Sequence, residues 1–358
     1  MDYNSYRRKT NGFKIGRIGI GADYPISIQS MTNTSPYDYE ATYRQIRQLE
    51  DAGCDIVRLA IPDVEAASVI SEMKKRGVNI PLVADIHFDY RIALRCAELG
   101  VDKIRINPGN IGSDDRVKAV ADACRERGIP IRIGINSGSL QKDILEKHGS
   151  PTPEALCESA FRHIHLLEKY DFEDIVVSIK ASNVPSMIKT NKLLAESCPY
   201  NIHLGVTEAG GERAGTLKSA IGIGSLLCEG IGDTIRVSLT ADPVREIAAA
   251  KDILSSVEIE GQSGMKIVSC PTCGRTKIDL ISLSNRFEEA AKREGLLDKP
   301  IKVALMGCAV NGPGEAREAD IGIAGGMGEA LLFAHGEIIE KIPEEKIIEV
   351  LMQRIKEI

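Results

Sequence analysis

The stretch DIVRLAIPDVEAASVISEMKKRGVNIPLVADIH, residues 55–87, contains one full repeat of the pattern that decides the fold. Its first run, DIVRLA (55–60), is rich in β-branched residues and predicts a strand. The middle has the apolar spacing of a helix and ends on Gly77, which suits the left-handed position after a helix. PLVADIH (81–87) predicts the next strand. A strand, a helix and a second strand in this order indicate a βα unit of a parallel sheet.

The same alternation extends from about Pro25 to Val257. Eight βα units in roughly 230 residues match the size of a closed (β/α)8 TIM barrel, which is typically ~250 residues. An open doubly wound sheet could be built from the same alternation, and the strand count favours the barrel. The strand-like runs are ISIQSM (26–31), DIVRLA (55–60), PLVADIH (81–87), DKIRIN (102–107), PIRIGIN (130–136), DIVVSIK (174–180), NIHLGV (201–206) and DTIRVSL (233–239).

Two segments lie outside this alternation. FKIGRIGIGADY (13–24) predicts a small β-hairpin that covers the bottom of the barrel. After residues 241–257, the eighth helix, the pattern changes to mixed strands and helices, with a helix expected from about Asp279 to Glu294. We therefore expect a barrel domain over residues 1–258 and a smaller α+β domain over residues 259–358.

Composition excludes several classes of protein. The net charge of −6 and the pI near 5.7 argue against a nucleic-acid-binding surface, which is normally basic. The sequence has neither the apolar core of a secretory signal nor an apolar run of about 18 residues, so we expect a cytoplasmic protein without a membrane partner. Six of the nine cysteines are scattered singly and are predicted to pack as small hydrophobic residues: Cys54, Cys96, Cys124, Cys157, Cys198 and Cys228.

Positively charged residues recur on the predicted barrel strands. DIVR, DKIR and DTIR place Arg58, Arg105 and Arg236 at the fourth position of a strand, and Arg132 and Lys180 lie on two further strands. Cations inside a barrel are desolvated, which is costly unless they are paired. They could pair with Asp85, with Glu208 or with the aspartates of the repeat. Five cations near barrel strand ends instead favour a phosphate or diphosphate ligand.

Polar side chains surround these cations at the predicted strand ends. Active sites of TIM barrels are formed by such side chains. Glu208, in the sequence TEAG, is the best candidate for acid–base chemistry, because a carboxylate among cations can be tuned for proton transfer. The other candidates for substrate binding are Asp85, His87, Asn107, Asn136, Ser182, His203 and Ser238.

Three cysteines of the second domain form a metal-binding pattern. Cys270 and Cys273 form a CxxC pair in SCPTCGRT, and Cys308 follows in MGCAVNGPGEA. Both zinc and iron–sulfur sites use this pattern. Zinc would need a fourth Cys or His, and His335 is predicted to be a packing residue. Glu315, on the same Gly- and Pro-rich loop as Cys308, could turn back to supply the fourth ligand.

These motifs together resemble a known family. SIQSMTNT, VRLAIP, ADIHFD, IRINPGN, SIKASN, GVTEAG, SCPTCGRT and MGCAVNGPGEAREADIG resemble the bacterial 4-hydroxy-3-methylbut-2-enyl diphosphate synthases of the methylerythritol phosphate route to isoprenoids. The resemblance extends over nearly the whole chain. It implies reductive ring-opening and dehydration of 2-C-methyl-D-erythritol 2,4-cyclodiphosphate.

The resemblance also implies the cofactor, the partners and the site residues. A [4Fe–4S] cluster held by Cys270, Cys273, Cys308 and Glu315 would deliver electrons singly from a flavodoxin or ferredoxin. The barrel cations would bind the diphosphate, and Glu208 would donate or position a proton. The chain has no room for the extra domain of the three-domain family members, which implies the two-domain form and a head-to-tail homodimer.

Two other functions fit parts of the sequence. A barrel transferase of the pterin-binding kind with a structural zinc site would fit the first strand and the CxxC pair. A simple electron carrier would use the cluster and leave the barrel cations unexplained.

Overall fold

The computed structural model describes residues 5–259, 264–308 and 318–358. Glu315, the predicted fourth ligand, lies outside these residues. The chain divides into two compact units, Met1–Glu260 and Gly261–Ile358, and each is described by itself. Among the described residues, none of the helices combines the length and the apolar character that a membrane crossing requires.

The first unit is a closed barrel of eight parallel strands, as predicted. The strands follow one another around the barrel in chain order, and the last pairs with the first. They are β3 (Ser27–Met31), β4 (Ile56–Ala60), β5 (Leu82–Asp85), β6 (Lys103–Ile106), β7 (Ile131–Asn136), β8 (Ile175–Lys180), β9 (Asn201–Leu204) and β10 (Thr234–Ile235). All eight lie inside the predicted strand-like runs, because β-branched residues suit strands that are covered on both faces.

Ten helices accompany these strands within the described part of the first unit. Many begin where a side chain accepts a hydrogen bond from a backbone N–H of the first turn, as Asp38, Thr152 and Asn183 do. The helices are α1 (Tyr39–Asp51), α2 (Ser68–Lys75), α3 (Tyr90–Glu98), α4 (Pro108–Ile111), α5 (Asp114–Arg127), α6 (Lys142–His148), α7 (Pro153–Glu168), α8 (Val184–Ser197), α9 (Glu212–Leu227) and α10 (Pro243–Ser256).

A hairpin covers the amino-terminal end of the barrel. Strands β1 (Phe13–Ile15) and β2 (Ile18–Ile20) pair antiparallel. Ile15 and Ile20 are fully buried and pack with Ile56 of β4 and Val83 of β5. The predicted covering role of this segment is confirmed.

In the part that the structure describes, the second unit is a five-stranded sheet with two helices. Strands β11 (Lys266–Ser269), β12 (Lys302–Met306) and β13 (Ile321–Gly325) are parallel, whereas β14 (Glu329–Ala334) and β15 (Glu337–Pro343) continue the sheet antiparallel. Helices α11 (Leu280–Arg293) and α12 (Ile347–Glu357) share a core with the strands. The structure confirms the helix that was expected between about Asp279 and Glu294.

The structure corrects two of the predictions about single residues. Cys228 is exposed at the carboxyl end of α9, whereas the other five isolated cysteines are buried as expected. His335 is an exposed residue at the turn between β14 and β15 with a positive φ of 47°, so it does not pack in the core.

Candidate active site

A cavity of about 140 Å³ lies at the carboxyl end of the barrel strands. It brings together nine of the twelve barrel residues that we expected to bind substrate. It is strongly polar, and its positive residues come from five different strands. The lining residues are Arg58, Asp85, His87, Arg105, Arg132, Gly134, Asn136, Ser178, Lys180, Thr207, Arg236 and Ser238.

Two carboxylates neutralise part of the positive charge. Asp85 lies 3.0 Å from Arg105 Nη1 and 3.6 Å from Arg58 Nε. Burial would raise the pKa of Asp85, but the charges of these arginines and of Arg132 outweigh burial and lower the pKa to about 2. Glu246, from the first turn of α10, lies 3.4 Å from Arg236 Nη2 and accepts a hydrogen bond of 2.8 Å from Ser30. Asp85 therefore stays ionised, and Asp85 and Glu246 together position three of the arginines.

In the described part of the chain, Arg132 and Lys180 have no carboxylate partner. Arg132 is 1% exposed, and its Nε and Nη1 atoms have no hydrogen-bond partner in the described part of the chain. Within the same residues, no carboxylate lies at ion-pairing distance from Arg132 or Lys180. Burial, and then the surrounding arginines, lower the pKa of both groups well below their ordinary values. Donors left unpaired in a desolvated cavity indicate a site that is completed by an anion.

Two glycines make room for the cations to cross the barrel. A Cβ atom on Gly134 would overlap with the guanidinium group of Arg105, and one on Gly205 would lie 2.6 Å from Lys180 Nζ. Neither glycine has a φ value that other residues avoid. Both positions are therefore small because charged side chains occupy the space above them.

We expect Gly134→Ala to weaken binding of inorganic pyrophosphate about tenfold, because the added methyl group displaces Arg105 from Asp85 and a misfit of this size costs about 1–3 kcal/mol. Calorimetric titration would measure the affinity. Gly224→Ala on α9 is the matched control, since its Cβ would make only an ordinary contact of 3.5 Å with Val257. Equal affinities for the two variants would contradict the spacing argument.

The aspartates of the strand repeat do not pair with the barrel cations, so that part of the pairing hypothesis is wrong. Asp55, Asp102 and Asp233 each accept a hydrogen bond from a backbone N–H of the preceding barrel strand, at 2.7 to 2.8 Å. They stand before the strands begin, at the end of the barrel opposite to the cavity. The repeat therefore combines an aspartate that fixes strand register with an arginine that serves the site.

Asp85→Asn should have opposite effects on stability and on anion binding. The folded-state pKa of about 2 lies below the ordinary 3.8, so the ionised carboxylate stabilises the fold at pH values above about 4, and this contribution is lost as pH falls towards 2. We expect the variant to lose about 2–3 kcal/mol of unfolding free energy at neutral pH. Pyrophosphate should bind several-fold more tightly, because a negative charge has left the cavity. Urea denaturation measures the unfolding free energy, and calorimetry measures the affinity for pyrophosphate. A variant that is less stable and also binds pyrophosphate more weakly would contradict this account.

Some expected site residues lie elsewhere. Asn107 caps α4 by accepting a hydrogen bond from Gly109 N. Ser182 is exposed just before α8, and His203 is fully buried on β9 with a hydrogen bond between its Nδ1 and Thr234. Glu208 is exposed, has a φ of 51° and follows Thr207 of the cavity wall. A non-glycine residue in this left-handed region is uncommon and is typical of functional turns.

Sequence reasoning missed other residues. Glu246 was not distinguishable from the other helix glutamates, although it stands four residues after the helix cap Asp242. Met31, at the end of β3, contacts Arg58 through its sulfur at 2.9 Å. Ser178 could have been found from strand alternation, since it lies two residues before Lys180 on the same strand, whereas Thr207 lies beyond the end of β9.

A larger groove, about 740 Å³, lies on the outside of the barrel between α8 and α9. Its walls are mostly apolar, and its lysines are engaged on the helix surface: Lys189 pairs with Glu154 and Lys192 with Glu229, each at 2.8 Å. It lacks the convergent polar groups of the barrel cavity, so the barrel cavity is the better candidate for the active site.

In the second unit, sheet topology brings two of the three motif cysteines to the same edge. Cys270 directly follows β11, and Cys308 follows the neighbouring parallel strand β12 by two residues, with Ser269 in register with Leu305. Gly307 donates its backbone N–H to Cys270 Sγ at 3.3 Å. Backbone N–H donors to cysteine sulfur are typical of iron–sulfur sites.

Cys273 is exposed on the loop that follows Cys270. Its backbone N–H donates to Thr276 Oγ1 at 3.1 Å. Hydrogen bonds from the backbone and side chain of Arg275 lower the pKa of the Cys273 thiol, which favours the thiolate that a metal requires. In residues 264–308 and 318–358, no three such side chains are close enough to form a metal site. Soft thiolate donors and N–H···S bonds nevertheless fit an iron–sulfur group.

Comparison with known proteins identifies the family. Residues 10–251 match the GcpE TIM-barrel domain, and residues 266–357 match the GcpE protein C-terminal domain. A 4-hydroxy-3-methylbut-2-en-1-yl diphosphate synthase (flavodoxin) from Ruminiclostridium cellulolyticum is 60% identical over 351 residues, which cover 98% of each chain. The protein of the same name from Clostridium perfringens is 57% identical over 352 residues, covering 98% of this chain and 99% of that relative.

Solved structures resemble the chain more distantly. Dihydropteroate synthase from Yersinia pestis aligns with a TM-score of 0.49 and 11% identity, covering 69% of this chain and 98% of that one. This likeness says nothing about activity. The two domain matches cover both units, and the full-length relatives have the name of the synthases that the motifs resemble. That resemblance is confirmed, and the chain belongs to the GcpE family.

Proposed function

We propose that this protein makes (E)-4-hydroxy-3-methylbut-2-enyl diphosphate by reductive ring-opening and dehydration of 2-C-methyl-D-erythritol 2,4-cyclodiphosphate. The observation that supports this most directly is the cavity in which Arg132 and Lys180 are unpaired among the described residues while Asp85 and Glu246 position the other arginines. Such a cavity suits a diphosphate. The names of the 60% and 57% identical relatives supply the reaction.

The barrel residues bind and orient the substrate in this proposal. Arg132 and Lys180 hold the diphosphate oxygens, with Arg58, Arg105 and Arg236 around them. His87, Asn136 and Ser238 provide polar contacts at the rim. Because His203 is fully buried below the cavity, and Asn107 caps a helix, neither residue is assigned a contact with the substrate. For Ser182, substrate binding at the entrance of the cavity remains a prediction.

Glu208 is the proposed acid. It is exposed, whereas the preceding residue lines the cavity, and its left-handed backbone directs the chain away from the strand at that point. A carboxyl group here can give a proton to the departing hydroxyl of the substrate, which then leaves as water. Binding by the cations on the opposite strands would orient the substrate for this transfer.

We propose that Cys270, Cys273, Cys308 and Glu315 hold a [4Fe–4S] cluster, with Glu315 outside the described residues. Such a cluster supplies electrons one at a time. The chain's own contribution is the N–H of Gly307 directed at Cys270 Sγ and the hydrogen bonds of Arg275 that favour the Cys273 thiolate. A carboxylate in place of a fourth thiolate is a weaker ligand, which would let one iron position open to substrate.

The proposed electron donor is a flavodoxin, which the names of the relatives specify, or a ferredoxin. Thiolate ligands and a reduced donor both fit a reducing compartment, so the cytoplasm remains the proposed location. Neither a nucleic acid nor a membrane is among the proposed partners.

Anaerobic turnover of the cyclic diphosphate with a reduced flavodoxin tests the function. The purified protein should contain about four irons and matching acid-labile sulfide, and the product should be the linear diphosphate. Zinc without iron, together with no turnover, would instead support the transferase that the sequence left open. That alternative is not favoured, because both units match the GcpE family.

We also propose a head-to-tail homodimer in which each active site combines the barrel of one subunit with the second unit of its partner. Coexpression of an Arg132→Met chain with a Cys270→Ser chain should then restore about a quarter of wild-type activity at substrate concentrations far below the KM of Arg132→Met, since half of the dimers are mixed and each mixed dimer has one intact site. Turnover of the differently tagged, copurified mixture measures this. If each site belonged to one chain, the mixture would stay inactive.

A further inference from the structure

A lysine lies beneath the anion cavity, inside the barrel. Lys103 stands two residues before Arg105 on β6, and alternating side chains of a strand share a face at this spacing, so both point inwards. Arg105 lines the cavity, whereas Lys103 is 0% exposed and does not line it. Two residues advance a strand by about 7 Å, which places Lys103 one layer deeper.

Two further polar side chains of the barrel strands, Gln29 of β3 and His203 of β9, are buried to within 1% and do not line the cavity. Among the described residues, the Lys103 Nζ, both side-chain amide atoms of Gln29 and the Nε2 of His203 have no hydrogen-bond partner. Their register partners include apolar residues, since Ile56 lies opposite Gln29 and Val83 lies opposite Lys103. These polar groups are therefore closed from solvent and unused by the binding scheme above.

The charged groups near Lys103 are mainly positive. Arg132 on the neighbouring strand β7 and Arg58 on β4 act on it, and Arg105 follows it by two residues on its own strand. Asp85 on β5 is already engaged by Arg58 and Arg105. In residues 5–259, no carboxylate pairs with Lys103. Burial, followed by Arg132 and Arg58, lowers the pKa of Lys103 well below its ordinary value.

A diphosphate in the cavity would change the electrostatic potential at the Lys103 amine from positive to negative, because several negative charges would then lie above the amine. We propose that Lys103 takes up a proton from solvent when a diphosphate occupies the cavity, and that its charge then helps to hold the anion. This role rests on the proposed function. The step forms one N–H bond at the amine and changes no oxidation state.

Protonation of Lys103 on binding predicts how the affinity for the anion depends on pH. Between the lower pKa of the free protein and the higher pKa of the complex, binding takes up as much as about one proton, and affinity falls as pH rises. Below the pKa of the free protein, Lys103 is already charged and contributes no uptake. Lys180, Arg132, His87, His203 and Asp85 also face this interior and can titrate, so the contribution of Lys103 must be measured as a difference.

The test is calorimetric titration of the full-length, cluster-containing protein with inorganic pyrophosphate, under anaerobic conditions, in buffers of different protonation enthalpy. Lys103→Met keeps the length of the unbranched side chain and removes the amine. We expect this variant to take up about one proton fewer than wild type and to bind about tenfold more weakly near pH 7. Lys103→Gln should behave in the same way, and its hydrogen-bonding side chain provides a second variant if Met impairs folding.

Lys118→Met is the matched control, because Lys118 is exposed on α5 and pairs only with Asp122 at 2.6 Å. It should leave proton uptake and affinity unchanged. Equal proton uptake by Lys103→Met, Lys103→Gln and wild type would overturn the role of Lys103 while leaving the proposed function intact. A wild-type protein that does not bind pyrophosphate would overturn the anion site, and the role of Lys103 with it.

Discussion

Arg132→Met is expected to lower the affinity for the cyclic diphosphate and for pyrophosphate roughly hundredfold. The guanidinium group has two N–H-bearing atoms without a hydrogen-bond partner in the described part of the barrel. These atoms can donate to the anion, and each charged hydrogen bond contributes about 1.5–3 kcal/mol. The KM for the substrate should rise accordingly. Calorimetry and steady-state kinetics on the anaerobic enzyme measure both quantities.

The same substitution is expected to raise the thermal stability of the protein. The wild-type side chain is 1% exposed and its charge is unfavourable before an anion arrives, so methionine relieves a desolvation cost. Weaker binding combined with a higher Tm is a combination that a packing role would not produce. Arg127→Met, at an exposed site near the end of α5, is the control and should change neither quantity. A less stable variant with unchanged affinity would refute the assignment of Arg132.

Cys270→Ser is expected to remove turnover almost completely, to below about 1% of wild type, because a hydroxyl group is a poor replacement for a soft thiolate. The iron and sulfide contents should fall with it. Pyrophosphate affinity should stay the same, since the cation cavity lies in the other compact unit. Metal analysis, visible spectra and calorimetry on one preparation separate these effects.

The control for this variant is Cys228→Ser. Cys228 is a free, exposed cysteine at the end of α9 and belongs to the barrel unit. Its replacement should leave iron content and turnover at the wild-type level. Full activity of Cys270→Ser, or a loss of iron in Cys228→Ser, would contradict the proposed ligand set.

The barrel could be predicted because its strands are short, β-branched and punctuated by helices that end on glycine. The arginine positions followed from the strand repeat, and the structure places these side chains in the cavity at the carboxyl end of the barrel. Lys103 illustrates a signal that was present but unused: in DKIR, the second and fourth positions share a face, so Lys103 must point inwards with Arg105.

Other features depended on distances that no local pattern specifies. Glu246 reaches Arg236 and Ser30 from a helix more than two hundred residues after the first barrel strand. The position of His203 along the barrel axis is also set by the register of the strands, since Thr234 lies opposite it. Gly205, two residues further on, leaves room for Lys180. A strand-end motif alone cannot distinguish a cavity residue from one in the layer below.

In the part of the chain that the structure describes, the hairpin of β1 and β2 closes the amino-terminal end of the barrel. Ile15 and Ile20 are fully buried against Ile56 and Val83, and Arg7, just before the hairpin, pairs with Asp233 at 3.1 Å. Product must therefore leave by the path through which substrate arrives, so the two compete for the same vacant enzyme. Accumulated linear diphosphate would slow the pathway by competitive product inhibition, a form of flux control set by the closed end of the barrel.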